Sequence, residues 1–462
     1  MGIYKAYDIR GVYPGELDEK LAYKIGQAVA TFLNVSTLLV SRDMRLSGPQ
    51  LTQAVIEGIT DQGCDVVDAG LLSTPGNTFA IAHYGYPGGV QVTASHNPPQ
   101  YNGFKISRKE AIPLSGDSGI PDIQHIVEAG RFPKASRKGK VTKRDAGADY
   151  TAHVLGFLGK VKPMKIVVDV ANGMGATMLP PILERIPGDF VRLFFDLDGS
   201  FPNHDSNVLI PANLEPLRQA VLREKADVGF ALDGDCDRCA FVDNLGNIVP
   251  CDLAGALIAR EVLSHEPGAT IICDPRSSRA VHEEIRAAGG KSEVERVGHA
   301  FMKTRLRNTR APFGLELSGH YYYRDNFCCD SGDITMVKMI NLLGTQSKSL
   351  AELVRPLLRY ATTGEVNFEV EDKDGKIAEI GRVFSDGRIS HIDGITVEYD
   401  DWWFNVRKSN TEPLLRLTLE GNTPQLRDKG FARLKKLLGN PVAHWASVIG
   451  GSGLREDCSP GL

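Results

Sequence analysis

The chain has 462 residues, with 53 Lys plus Arg against 57 Asp plus Glu, a formal net charge of −4, and 42% hydrophobic residues. That balance argues against a generally basic face of the kind that binds nucleic acid or acidic membranes, so any anion site must be a local cluster. The length suits about three domains of roughly 150 residues each, and no apolar run approaches the ~18 residues that span a bilayer.

The N-terminal Met1–Asp8 stretch lacks the apolar centre of a signal peptide. Eight cysteines are too sparse for a disulfide scaffold, and a reducing cytoplasm is the expected compartment. Three strand–loop–helix units follow along the chain. The first has a strand over Thr37–Val40, a loop at Ser41-Arg42-Asp43, a helix from about Gly48 to Gln62 with Ser47 as N-cap, and a strand over Cys64–Val67. The second has a strand over Lys165–Val168, a loop at Asn172-Gly173-Met174-Gly175, a helix near Thr177–Arg185 and a strand over Phe190–Phe195. The third has a strand over Thr270–Ile272, a loop at Asp274-Pro275-Arg276 and a helix to about Ala288. Short β-branched strands alternating with helices predict parallel α/β layers, and the uneven spacing of the three starts excludes a solenoid. After about Ala361 the pattern becomes alternating strands over Val366–Val370 and Ile395–Tyr399, then strand, loop, strand over Asp401–Leu419, then an amphipathic helix over Pro424–Leu438. The expected division is therefore 1–146, 147–250, 251–360 and a smaller α+β domain at 361–442, followed by a Gly-, Ser- and Pro-rich tail at 443–462 that is expected to fray.

Four clusters carry chemistry. Thr93-Ala94-Ser95-His96-Asn97-Pro98-Pro99 follows the apolar strand Gly89–Val92. A Ser on a turn at a strand end suits an open α/β site, although Asn-Pro alone also marks an ordinary turn. The Gly-x-Ser-x-Gly frame of a nucleophile elbow is missing. Lys105 stands close by as a proton carrier or phosphate partner. Next, Asp233, Asp235 and Asp237 alternate after the strand Val228–Ala231. Such charge density calls for a hard cation, for which Mg²⁺ is suited. An EF-hand is excluded because its Gly and Glu positions hold Arg238 and Asn244. Cys236-x-x-Cys239 has no second pair, which argues against zinc. In Gly314-Leu315-Glu316-Leu317-Ser318-Gly319-His320, an extended backbone would point Glu316 and Ser318 the same way, toward sugar hydroxyls; a strand end with a solvated Glu is the alternative. Finally, Arg407-Lys408-Ser409-Asn410-Thr411, with Arg416, crowds donors into a phosphate cradle. A serine, a cation loop, a hydroxyl-reading loop and a phosphate loop together suggest phosphoryl transfer on a phosphosugar.

In this order and at this spacing, the clusters resemble the α-D-phosphohexomutase superfamily, in its phosphomannomutase/phosphoglucomutase branch, from Tyr7-Asp8-Ile9-Arg10-Gly11 to about Gly439. The resemblance implies three similar mixed-sheet α/β domains and a distinct fourth around a central cleft. It implies that Ser95 carries a phosphoryl group and that Ser95, Asp233, Asp235 and Asp237 hold Mg²⁺. Glu316 and Ser318 would grip the sugar, and Arg407, Ser409, Asn410, Thr411 and Arg416 would hold the phosphate that is not reacting. Arg10, His96, Lys105, Arg238, His299 and His320 fall on positions near the reacting groups. The implied substrate is a small hexose phosphate, handled by a monomer or dimer without nucleic acid or membrane. The implied activator is a hexose 1,6-bisphosphate.

Asn410 stands where the glucosamine branch usually has Gly, and Trp402-Trp403-Phe404-Asn405 looks most like bacterial phosphomannomutases. Leu315 and Cys236 replace a small residue and a Gly, departures expected to alter only side-chain fit. Arg276 replaces a phosphate-contacting Lys of some relatives and keeps its charge. Cys236 beside a cation is either a redox-sensitive thiol or a buried small residue. Phosphoglucomutase, phosphoglucosamine mutase, a Mg²⁺-dependent phosphatase and a silent phosphosugar-binding protein are the competing readings. The intact Ser95 and Asp triplet weigh against the last.

Overall fold

The structure, a computed structural model, describes residues 2–409 and 413–442. Asn410, Thr411 and the 443–462 tail lie outside the described residues. The chain falls into two compact units: Met1–Leu357 and, apart from the Ser409–Pro413 segment, Leu358 onward.

The first unit contains three sheets. The first is built from β1 (Ile9–Val12), β2 (Thr37–Arg42), β3 (Asp65–Leu71), β4 (Gly88–Val92), β5 (Tyr101–Arg108) and β6 (Val141–Lys143), ordered β6-β3-β2-β4-β5-β1. The second has β7 (Met164–Asp169), β8 (Gly188–Leu193), β9 (Val228–Leu232), β10 (Cys239–Asp243) and β11 (Ile248–Val249), ordered β8-β7-β9-β10-β11. The third has β12 (Thr270–Cys273), β13 (Lys291–Val294), β14 (Phe313–Leu315), β15 (Tyr321–Tyr323) and β16 (Cys329–Asp330), ordered β13-β12-β14-β15-β16.

One arrangement recurs. In each sheet three strands run parallel (β3-β2-β4, β8-β7-β9 and β13-β12-β14), with β6 lying parallel beside β3 as a fourth in the first sheet, and two further strands, each antiparallel to its neighbour, complete each sheet. The expected mixed α/β class is thus present three times. Its central strands are apolar and buried, as layers covered on both faces require.

Helices pack closely on the first sheet. In the pair Glu19–Leu33 and Gly48–Asp61, a Cβ at Gly26 would lie 2.4 Å from the Val55 carbonyl oxygen, and one at Gly58 would lie 2.1 Å from that of Tyr23. Hydrogen at both positions lets the two backbones touch. Ser47 precedes the second helix but makes no capping bond; its hydroxyl accepts from Asn102 instead, at 2.9 Å. The helix expected near Thr177–Arg185 is two short turns, Gly175–Met178 and Pro180–Leu183, divided where Pro180 and Pro181 interrupt the backbone bonding. The strand expected at Phe190–Phe195 begins and ends two residues earlier.

Side chains from all three sheet regions meet in an aromatic cluster. The Phe79 ring lies tilted against three others, with centroid distances of 5.6 Å to Tyr150, 4.8 Å to His153 and 6.3 Å to Phe327. Beside it Tyr150 Oη donates to Asp333 at 2.6 Å. No helix among the described residues is long and apolar enough to cross a membrane.

The second unit is an antiparallel sheet of β17 (Ala361–Glu369), β18 (Arg388–Ser390), β19 (Ile395–Glu398), β20 (Trp402–Lys408) and β21 (Leu414–Gly421), ordered β17-β21-β20-β19-β18. Its core unites Phe368, Ile380, Phe384, Trp402, Phe404, Leu417 and Leu434, drawing in the helices Lys373–Val383 and Pro424–Leu438. This is the smaller α+β domain expected.

Burial pushes Asp333 up to about 7, and the bond from Tyr150 only partly opposes it. The folded chain therefore keeps a proton there that an unfolded carboxyl, near about 3.9, has released. Stability contributed by this group falls as pH rises from about 4 to 7. Asp333→Asn is expected to flatten that part of the thermal-midpoint-versus-pH curve; an unchanged slope would show that Asp333 ionises normally.

Candidate active site

The three loops singled out in the first unit occupy corresponding places. Thr93–Pro99 follows β4, Asp233–Arg238 follows β9, and Glu316–His320 follows β14, each at the carboxyl end of the third parallel strand. That is where open α/β sheets gather ligands.

Ser95 is buried and left-handed, with φ +50°, a backbone state costing a non-glycine residue on the order of 1 kcal/mol. Its N–H donates to Thr93 Oγ1 at 2.9 Å, and its Oγ donates to Asp233 Oδ2 at 3.1 Å and lies 3.3 Å from His96 Nδ1. Arg10, on β1, donates to Asn97 Oδ1 at 2.6 Å in the same loop and pairs with Asp8.

Asp233, Asp235 and Asp237 are buried, and each offers an oxygen to a group whose members lie within 4.8 Å of one another. Asp235 Oδ2 accepts from Thr74 Oγ1 at 2.5 Å, Thr93 Oγ1 at 3.3 Å and Lys105 Nζ at 2.7 Å; Lys105 also reaches Asp237 at 2.6 Å. Asp233 accepts from the Arg238 N–H at 3.1 Å. Burial, Asp237 and Asp235 hold Asp233 well above the usual carboxylate range. Burial opposes charge on Asp237 too, but Lys105, His320 and Arg238 outweigh it and hold this carboxyl well below that range. Among the described residues the buried Oδ1 of Asp235 has no hydrogen-bond partner, and that of Asp237 faces only His320 Nε2, at 3.3 Å. Three converging carboxylates with such oxygens fit a hard divalent cation.

The Glu316–His320 segment is a turn, not the extended backbone expected: Gly319 N donates to the Glu316 carbonyl at 3.1 Å, and Glu316 N to that of His320 at 3.0 Å. Glu316 and Ser318 are nevertheless joined, through His320 Nδ1, at 3.3 and 3.0 Å. Glu316 also accepts from Gly298 N at 2.8 Å and Tyr322 Oη at 2.5 Å. Burial raises Glu316, but His320, Arg276 and Tyr322 prevail and bring it down to about 2.

His320 Nε2 lies 3.3 Å from both Arg238 Nε and Asp237 Oδ1. Burial and Arg238 oppose a charged ring, but Asp237 and Glu316 outweigh them and push it up to about 9. His299 opens the helix His299–Thr309 and meets the Tyr7 ring edge-on at 4.7 Å. Both its ring nitrogens are buried without a hydrogen-bond partner among the described residues. Burial, Lys303, Lys105 and His320 hold it neutral; burial, Arg238 and Arg10 do the same for His96.

The two arginines of the fourth cluster lie in the second unit. Arg407 and Arg416 are cross-strand partners on β20 and β21, and Glu365 of β17 binds both, at 3.1 and 2.8 Å. Ser409 follows directly after β20, and Asn410 and Thr411 lie outside the described residues.

The first unit thus brings together Arg10, Ser95, His96, Lys105, the Asp triplet, Arg238 and His320, with Glu316 and Ser318 joined through His320. Lys105, expected as a proton carrier or phosphate partner, is an ion-pair partner of two aspartates. Burial disfavours its charge, but these partners hold it above its ordinary range. Arg276 pairs with Asp274.

The departure of Cys236 from Gly touches the backbone and not only side-chain fit: its φ is +64°, a state in which glycine is at ease. Supporting residues that the sequence did not mark are Thr74, Tyr322 and Glu365, single polar residues with no spacing to distinguish them.

Cys236 and Cys239 are free and buried, and burial foremost pushes both thiols well above their ordinary range. Since the thiolate is the reactive form, peroxide at neutral pH is expected to leave activity unchanged; sulfenate labelling of Cys236 with loss of activity would contradict this.

Comparison with known proteins finds matches along most of the chain. Models of the phosphoglucomutase/phosphomannomutase α/β/α domains I, II and III match residues 1–134, 148–246 and 251–360, and that of the C-terminal domain matches 365–436. The chain is 37% identical over 452 residues to a phosphomannomutase of Salmonella typhimurium and 38% identical over 452 residues to one of Escherichia coli K12, in each case covering 94% of this chain and 98% of the relative. A crystal structure of a phosphoglucomutase/phosphomannomutase family protein from Burkholderia thailandensis superposes with a TM-score of 0.87 at 33% identity, covering 95% of this chain and 98% of that one. With the four domain models matched in order, the chain belongs to the phosphoglucomutase/phosphomannomutase family.

Proposed function

We propose that the chain is a phosphomannomutase, an isomerase interconverting mannose 1-phosphate and mannose 6-phosphate, with glucose phosphates as further substrates. The observation that carries this reading is Ser95 Oγ at 3.1 Å from Asp233, inside a buried group of three converging carboxylates. Relatives named phosphomannomutase at 37% identity and above support the sugar assignment.

In the proposed cycle, phospho-Ser95 gives its phosphoryl group to the free hydroxyl of a hexose phosphate. The seryl oxygen–phosphorus bond breaks, a sugar oxygen–phosphorus bond forms, and the hydroxyl proton goes to a base. The resulting hexose 1,6-bisphosphate turns over and returns its other phosphoryl group to Ser95. Ser95, Asp233, Asp235 and Asp237 would hold Mg²⁺, which when bound supplies positive charge against the transferring group.

Lys105, kept charged by Asp235 and Asp237, contributes positive charge and not a proton acceptor; Arg10 and Arg238 add to that charge. His299, neutral and with both ring nitrogens unpartnered among the described residues, is suited to take the proton. Glu316, held ionised, and Ser318 would accept and donate hydrogen bonds to sugar hydroxyls. Arg407 and Arg416 carry two positive charges against the one of Glu365, and with Ser409, Asn410 and Thr411 they would bind the phosphate that is not reacting.

The test is a coupled assay with Mg²⁺ and a trace of hexose 1,6-bisphosphate, comparing mannose, glucose and glucosamine 1-phosphates while free phosphate is monitored. Isomerisation of mannose 1-phosphate that Ser95→Ala abolishes is expected. Phosphate release without isomerisation would favour a phosphatase, and absence of both, from protein carrying phosphate on Ser95, would sink the enzyme reading. His299→Gln is expected to lower kcat by about 10²-fold or more with a small change in KM. A wild-type kcat in that variant would move the base to another group.

A further inference from the structure

Arg45 is fully buried, yet no part of the proposed chemistry uses it. Its two terminal nitrogens are spent on one loop. Nη1 donates to the carbonyls of Pro98 at 2.8 Å and Tyr101 at 2.9 Å, and Nη2 to those of Ser95 at 2.8 Å and Asn97 at 2.5 Å. Nε faces Asp43 Oδ2 at 3.4 Å, and the Arg45 N–H donates to Asp43 Oδ1 at 3.0 Å. The Phe201 ring centroid lies 5.3 Å from the guanidinium carbon.

We propose that Arg45 is a positioning residue for phosphoryl transfer at Ser95: its guanidinium fixes the left-handed turn by holding four of the loop's carbonyls, and so aims Ser95 Oγ at the acidic cluster. The inference rests on reading Ser95 as the phosphoryl carrier.

The geometry is specific to this role. The carbonyl of Ser95 itself is one of the four, so the bond acts on the peptide unit next to the reacting side chain. Gly234 of the acidic loop packs on the same oxygen, where an added Cβ would stand 2.9 Å away. Only a planar fork with separated donors spans four carbonyls; an ammonium offers three donors from one point.

The same turn recurs in the third sheet. Asp43-Met44-Arg45 follows β2 and Asp274-Pro275-Arg276 follows β12, the corresponding strand, and the Arg276 N–H donates to Asp274 Oδ1 at 2.8 Å as Arg45 does to Asp43. There Asp274 Oδ2 accepts from the Leu317 N–H at 2.9 Å, within the Glu316 loop. In the second sheet the turn after β7 reaches the acidic loop through backbone alone, Met174 N donating to the Gly234 carbonyl at 2.8 Å. In each sheet, then, the turn after the middle parallel strand holds the working loop after its neighbour.

The experiment measures single-turnover phosphoryl transfer from glucose 1,6-bisphosphate to Ser95, together with steady-state isomerisation of mannose 1-phosphate, on wild type, Arg45→Lys and Phe201→Leu. Circular dichroism establishes that each is folded. Displacement of a reacting group by about 1 Å costs on the order of 10²-fold. Arg45→Lys is therefore expected to lose transfer rate and kcat by about that factor, with KM for mannose 1-phosphate nearly unchanged. Phe201→Leu, which removes the ring beside the guanidinium, is expected to lose several-fold in the same two quantities. A purely structural role would lower the unfolding temperature and leave the rate per folded molecule intact. Folded Arg45→Lys with the wild-type transfer rate overturns the proposal. If Arg45→Lys does not fold, a wild-type rate in Phe201→Leu overturns it. Failure of the wild-type chain to isomerise any sugar would instead overturn the mutase reading beneath it.

Discussion

Three aspartates buried within reach of one another impose the condition on which the rest of the first unit depends. Asp233, Asp235 and Asp237 cannot share a dry space as three anions without cations close by. The second sheet that carries them supplies Arg238. Lys105 comes from the first sheet and His320 from the third. The charge cluster therefore fixes how three sheets must meet, and the aromatic contacts of Phe79 with Tyr150, His153 and Phe327 join the same three regions through apolar surface.

Within that arrangement the recurring strand order divides the labour. Each sheet presents one loop at the same place, and each loop has different chemistry: a hydroxyl at Ser95, carboxylates at Asp233–Asp237, and a carboxylate with a hydroxyl and an imidazole at Glu316–His320. The surrounding bonds keep neighbouring groups in opposite protonation states. His299 is uncharged beside charged Lys303, and His320 is charged between Asp237 and Glu316. A site that must move protons and stabilise anions at one pH requires such a separation.

Much of this was legible in the sequence because the strands are short, β-branched and followed by dense functional loops. The central strands β2, β7 and β12 were placed within about a residue or two at each end, an ordinary boundary error. Helix ends were less legible. Ser47 has the composition of an N-cap but gives its hydroxyl to Asn102, a residue 55 positions away that no local rule can see. Long-range pairing also hid the roles of Thr74, Tyr322 and Glu365. Backbone state was hidden too: Cys236 at φ +64° reads as an unusual side chain in the sequence, and only the dihedral explains why glycine suits that place. The two Asp-x-Arg turns were visible as loops, but their equivalence became apparent only once β2 and β12 were seen to occupy corresponding positions.

Repetition of the sheet also bears on whether the pieces can exist apart. By strand order the second sheet is a self-contained layer with its own helices, and it looks separable. Its acidic loop is not. Cut free, residues 148–246 would keep all three aspartates and lose Lys105, His320, Thr74 and Thr93, so the carboxylates would repel one another or take up protons. The copies are alike as topology but not as thermodynamic objects. Cutting the chain therefore cannot return the second copy to independence without leaving its carboxylates uncompensated.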